Sequence, residues 1–200
     1  GYIAPFAREL GAAFGPFDFA VPAVSSLSAD LHKFGFCPKP ASTVFFREPE
    51  RAAASGFDLD VWPNGRFATG TLVGTRPGGA VAAAWAVLTF LGREGYLEIT
   101  RRLIALRRAY ENGIAAIPEL RVLGRPDLSI LAVGSADPAL DIFRVADAMA
   151  TRGWIPGLVR EPPALHSMMS MFHAPAREAW LADITASIAE VRCVGAAAPA

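Results

Sequence analysis

A helical period running from Glu94 to Ile117 divides this 200-residue sequence into two halves of different character. Ile99, Leu103, Leu106 and Tyr110 recur on one face, and Arg101, Arg102, Arg107 and Arg108 fall on the other. That spacing predicts an amphipathic helix with a solvated arginine face. Beyond Pro118 the pattern alternates. Strands are expected at Leu120 to Leu123 and Ser129 to Gly134, a helix at Ala139 to Thr151, and strands again at Trp154 to Val159 and Leu165 to Phe172. A last helix, Ala176 to Val191, places Trp180, Ile184, Ile188 and Val191 together. A few strands covered by helices make an α+β unit that begins near residue 95.

The first half is punctuated by glycine and proline. A short helical stretch is expected at Ala4 to Ala13, and β-prone runs at Val24 to Ala29 and Ser42 to Arg47 flank a turn-rich segment, Asp30 to Pro40. Glu48 to Gly56 reads as one or two helical turns, and Asp60 to Pro77 as an extended loop, a length that is usually functional. Gly78 to Gly92 predicts a further helix, in which Ala80 to Leu91 carries the periodicity of a buried one and is too short for a membrane span. Residues 196–200 read as a frayed tail.

Composition narrows the function classes. The chain is 52% hydrophobic and 19% charged, which excludes disorder, and its formal net charge of zero leaves no electrostatic footprint for nucleic acid or an anionic membrane. Cys37 and Cys193 match no metal-ligand spacing and no disulfide framework. His166 and His173 beside an apolar strand are expected to be packed or capping residues, and Met168, Met169 and Met171 to fill core, so no metal is expected. No secretory signal is visible at Gly1 to Leu10, and a soluble, cytoplasmic protein is the expectation.

The chemistry concentrates in Ser28-Ala29-Asp30-Leu31-His32-Lys33-Phe34-Gly35-Phe36-Cys37-Pro38-Lys39. A His-Lys pair between a β-prone run and a Gly/Pro turn can hold an amine at the mouth of a sheet, where desolvation would make it nucleophilic. A His-Lys dipeptide by itself is usually a solvated surface pair.

The longer string resembles the lysine motif of the group II pyridoxal-phosphate (PLP) dependent decarboxylases, in particular of their sphingosine-1-phosphate lyase branch. Two further blocks resemble later segments of that family: Gly74-Thr75-Arg76-Pro77-Gly78-Gly79 with Gly92-Arg93-Glu94-Gly95-Tyr96, and Asp127 to Ser135 with Asp141-Ile142-Phe143 and Arg152-Gly153-Trp154. The resemblance covers nearly the whole chain. It implies an α/β fold: part of a fold type I, PLP-dependent transferase-like large domain over residues 1–95, then a small C-terminal α+β domain over 96–195.

The resemblance also implies roles. Lys33 would bind PLP through a Schiff base and serve as acid and base, and His32 would contact the cofactor. Thr75 would reach the phosphate of a neighbouring subunit's cofactor, which implies a homodimer with the site at the subunit interface. Lys39 would lie near a substrate phosphate, and Arg76 would either hold its loop or face substrate. Phe34 and Phe36 depart from the tyrosines common in lyase relatives, and the cofactor-binding aspartate and phosphate loop are expected upstream of Gly1. The chain is therefore expected to be a fragment. The activity implied is an aldehyde-lyase acting on a phosphorylated amino alcohol, with an amino-acid carboxy-lyase as the alternative and an inactive dimerisation piece as the third.

Overall fold

The computed structural model describes residues 2–196 and divides into two compact units, Gly1–Leu97 and Glu98–Ala200. Gly1 and most of the expected tail, 197–200, lie outside the described residues.

The first unit starts with α1 (Ala4–Glu9), whose proline in the first turn gives up no helical hydrogen bond and whose Ala4 and Ala7 are buried. Strands β1 (Ser26–Ala29) and β2 (Thr43–Phe46) pair antiparallel, Ser26 opposite Phe46 and Ala29 opposite Thr43. The two β-prone runs thus enclose the turn-rich segment. After α2 (Pro49–Ala54) comes a small hairpin, β3 (Phe57–Leu59) with β4 (Phe67–Thr69), which places a strand inside the expected loop of residues 60–77. Three-residue strands are too short for alternation to register. What holds the pair is cross-strand: the Phe57 and Phe67 rings lie 6.2 Å apart, and Arg66 pairs with Asp58.

Helix α3 (Gly78–Ala115) is broken at Gly92, where φ is 55° and ψ is −173°. Only glycine adopts that conformation without strain, so the two expected helical segments meet where the sequence places it. The first segment is not the buried helix expected for Ala80 to Leu91: Ala84 is buried, whereas Val81, Trp85 and Phe90 are 65%, 70% and 88% exposed. Apolar spacing shows which face seeks cover and says nothing of what supplies it.

The second unit holds a four-stranded antiparallel sheet, formed by β5 (Leu120–Val122), β6 (Ile130–Ser135), β7 (Gly157–Val159) and β8 (Ala164–Met168) in the order β5-β6-β8-β7. Helices α4 (Ile142–Thr151) and α5 (His173–Ala196) complete it. Asp141 caps α4, its carboxylate accepting from the Phe143 N–H at 2.9 Å. Leu131, Val133, Val145, Met149, Leu165 and Ile184 form the centre of one continuous core.

Two expectations fail here for geometric reasons. Arg107 is not on a solvated face: it is 6% exposed and pairs with Glu111 one turn on, while Arg101 and Arg102 pair with Glu98. Position 107 follows the buried Leu103 by four residues and precedes the buried Tyr110 by three, which places it on their stripe. Met168 is 55% exposed and Met169 is buried, because neighbours along an extended chain point to opposite sides.

Candidate active site

Residues Asp30 to Ser42 close the β1–β2 pair in a compact turn that the sequence prepares at three points. The Ala41 carbonyl accepts both the His32 backbone N–H at 3.0 Å and the His32 ring Nδ1 at 2.7 Å. The Cys37 N–H donates to Leu31 O at 2.9 Å and the Phe36 N–H to Lys33 O at 3.0 Å. Gly35 has no substitute there, since a Cβ would sit 2.5 Å from the Leu31 carbonyl oxygen. Phe36, at φ 60°, takes a left-handed conformation that costs a bulky residue energy and persists only when its surroundings hold it.

Tyr96 supplies that hold from α3. Its hydroxyl donates to the Gly35 carbonyl at 2.7 Å, and its ring, 3% exposed, lies 5.2 Å from Phe6 and 5.4 Å from Tyr2. Burial pushes the Tyr96 phenol well above its ordinary range, so it stays a neutral donor. The Cys37 thiol is 5% exposed and is pushed up by the same cause, which leaves it inert.

Within this frame Lys33 projects outward. Its side chain is 62% exposed, and its Nζ meets Asp30 Oδ2 at 2.6 Å. The Ser42 hydroxyl donates to the other oxygen, Asp30 Oδ1, at 2.6 Å. Lys33 and Ser42 together hold the Asp30 carboxyl down at about 2. The desolvation expected to activate the amine is therefore absent in this chain: nothing among the described residues covers it. For His32, a ring nitrogen 2.7 Å from a carbonyl must carry a proton, which leaves Nε2 available to another partner.

The other expected site residues are dispersed. Arg76 is exposed, with Nη1 3.4 Å from Gly74 O, and lines a cavity of about 220 Å³ together with Leu31, Ala41, Ser42 and Thr43. Arg76 thus reaches the edge of the lysine-bearing turn. Thr75 and Lys39 are exposed and line neither this cavity nor a second one of about 620 Å³ walled by Phe6, Phe17, Leu27, Phe45 and Leu88. Lys33 and His32 line neither. Sequence reasoning missed the parts played by Asp30, Ser42 and Tyr96. A carboxylate three residues before a lysine was a visible signal for the first, whereas Ser42 and Tyr96 come from distant positions.

No protein-family model matches the chain. A sphingosine-1-phosphate lyase of Arabidopsis thaliana is 39% identical over 192 residues, 96% of this chain and 35% of that protein. The structure of a Burkholderia pseudomallei sphingosine-1-phosphate lyase superimposes on 98% of this chain and 44% of its own, with a TM-score of 0.89 at 35% identity. The chain is a homologue of the sphingosine-1-phosphate lyases. Its fold is the corresponding part of the PLP-dependent fold type I enzymes. It spans about a third of the length of the curated lyases it matches. A Methanothermobacter thermautotrophicus protein described as a probable L-tyrosine/L-aspartate decarboxylase is 32% identical over 169 residues, 84% of this chain and 45% of that one.

The residues of the turn fit a cofactor held through an aldehyde. A primary amine stands at the end of β1, open to an incoming carbonyl, beside an imidazole whose second nitrogen is uncommitted. The described residues contain no group of three or more His, Cys, Asp or Glu that could hold a metal, and no helix long and apolar enough to cross a membrane.

Proposed function

We propose that this chain carries the lysine of a PLP-dependent carbon–carbon lyase that cleaves a phosphorylated amino alcohol to an aldehyde. The carrying observation is the position of Lys33: an accessible amine on a turn braced by Gly35, His32 and Tyr96. Lys33 Nζ would hold PLP covalently, and Nε2 of His32 would face it. Once bound, PLP supplies an electron sink for the bond that breaks.

The chain's own contribution is positional and protic. The braced turn fixes where Nζ can reach, and Lys33, when freed, holds or moves a proton at Nζ. Lys39 and Arg76 would attract the phosphate of the substrate, Arg76 from the rim of the 220 Å³ cavity. Thr75 would serve the cofactor phosphate of a second copy. In this reading residues 1–95 complete a cofactor-binding large domain and 96–195 form a small C-terminal one, in a cytoplasmic homodimer with the site at the subunit interface. The near-neutral charge and the abundant exposed apolar side chains of the first unit support the last point.

An amino-acid decarboxylase is the second reading, favoured by the Methanothermobacter relative. Two experiments separate the possibilities. The protein is incubated with PLP, followed by visible absorbance, reduced with borohydride and mapped; only two of its 19 basic residues are lysines, so the map has two side-chain outcomes. Label at Lys33 is expected, label at Lys39 overturns the site, and no label favours a purely structural piece that serves dimerisation. Aldehyde release from a sphingoid phosphate supports the lyase, whereas carbon dioxide from an amino acid supports the decarboxylase.

A further inference from the structure

The ion pair at Lys33 is not isolated. Asp30 is the first residue of the turn, directly after β1, and Ser42 the last, directly before β2, so the pairing of Ala29 with Thr43 brings carboxylate and hydroxyl together at 2.6 Å. The Lys33 backbone N–H also donates to Asp30 O at 3.1 Å, which fixes the i,i+3 geometry that carries Nζ back onto the Asp30 side chain. One carboxylate oxygen is committed to Ser42 and the other to Lys33. A carboxylate anchored at one oxygen presents the other in a defined direction, which distinguishes this pair from two free side chains meeting in water.

We propose that Asp30, fixed by Ser42, is a positioning residue that docks the Lys33 amine at the end of β1 whenever that amine has no covalent partner. The inference deepens the proposed function and rests on Lys33 being the cofactor lysine. The docked amine must leave Asp30 before it can attack a carbonyl carbon, so Asp30 restrains the free amine while keeping it near one place. Freed after exchange with a substrate amine, Lys33 returns to a set position rather than sampling every rotamer of a long chain. The reservoir of disorder that docking removes is large, because lysine has among the highest side-chain entropies.

Lys39 provides an internal reference on the same polypeptide. The PLP-free protein is methylated with limiting formaldehyde and a mild hydride reductant, and the label at Lys33 is divided by that at Lys39. Asp30→Asn is expected to raise this ratio about two- to five-fold, the range open to an exposed ion pair, and Ser42→Ala to raise it less. In the unaltered protein the ratio is expected to climb with added salt, which screens the pair without any risk to folding. A ratio that stays flat or falls in Asp30→Asn, or one indifferent to salt, would overturn the proposal. General loosening of the turn would raise labelling at both lysines and leave the ratio unchanged, which counts against it too. No PLP enters the measurement, so failure of cofactor trapping at Lys33 sinks the functional reading independently.

Discussion

The two units of this chain spend their apolar residues differently. In Glu98–Ala200 they close around one core, with Val145, Met149 and Ile184 fully buried. In Gly1–Leu97 the described residues form a small cluster of Cys37, Ala41 and Ala84, with Ile3, Ala7 and Tyr96 buried besides, while Val61, Leu72, Val73, Trp85 and Phe90 are all exposed. The unit that carries Lys33 is thus the one with little core of its own. Its order rests on hydrogen bonds and backbone fit in a short turn, where single atoms matter. The second unit's order rests on volume, which many contacts share.

The largest expected effect sharpens that contrast. Met149→Ala should destabilise the second unit by about 2–5 kcal/mol, read by denaturant unfolding of its own peptides in hydrogen exchange. Phe90→Ala, on an 88% exposed side chain, should change the first unit by no more than about 0.5 kcal/mol, and equal losses at the two sites would break the comparison. Next comes Gly35→Ala: a methyl 2.5 Å from Leu31 O must displace backbone, a cost of about 1–3 kcal/mol confined to residues 30–42, with loss of PLP trapping at Lys33. Protection factors across that segment test it.

Tyr96→Phe deletes only a hydroxyl. It should cost about 1 kcal/mol and loosen exchange at Gly35 and Phe36 while leaving α4 and α5 unchanged. The smallest effect is pH-linked. The Asp30 carboxyl is depressed to about 2 from an ordinary 3.8, so its contribution is present above 3.8 and fades as pH falls through about 2. A thermal-melting difference between the protein and Asp30→Asn should therefore close in that window; a gap that persists below it would assign the effect to something other than the charge.

How far the site could be read from the sequence follows the same division. Lys33, His32 and the β-prone runs on either side all lie between Val24 and Arg47, and their grouping was legible because local spacing fixes it. The bracing of Gly35 by Tyr96, sixty-one residues away, was not, since no periodicity records which helix will pass over a turn. Arg107 shows the limit within a single helix: its charge suggested solvent, and its position between Leu103 and Tyr110 carried it inside, with Glu111 to meet it. The hairpin at Phe57–Thr69 escaped because three-residue strands are specified by their partners.

By itself the sequence determined the order of strands and helices outside the Phe57–Thr69 hairpin, the break at Gly92 and the one turn in which a reactive amine could stand, because backbone preference and hydrophobic period act over a few residues. Only the tertiary structure decided that Lys33 stands exposed against an Asp30 that Ser42 anchors, and that the helix after Gly78 leaves Val81, Trp85 and Phe90 uncovered by the described residues. Exposure, and the anchoring of Asp30 by a residue of the opposite strand end, depend on what arrives from elsewhere in the chain, and that information is not held in the local window that shows the Asp30–Lys33 spacing.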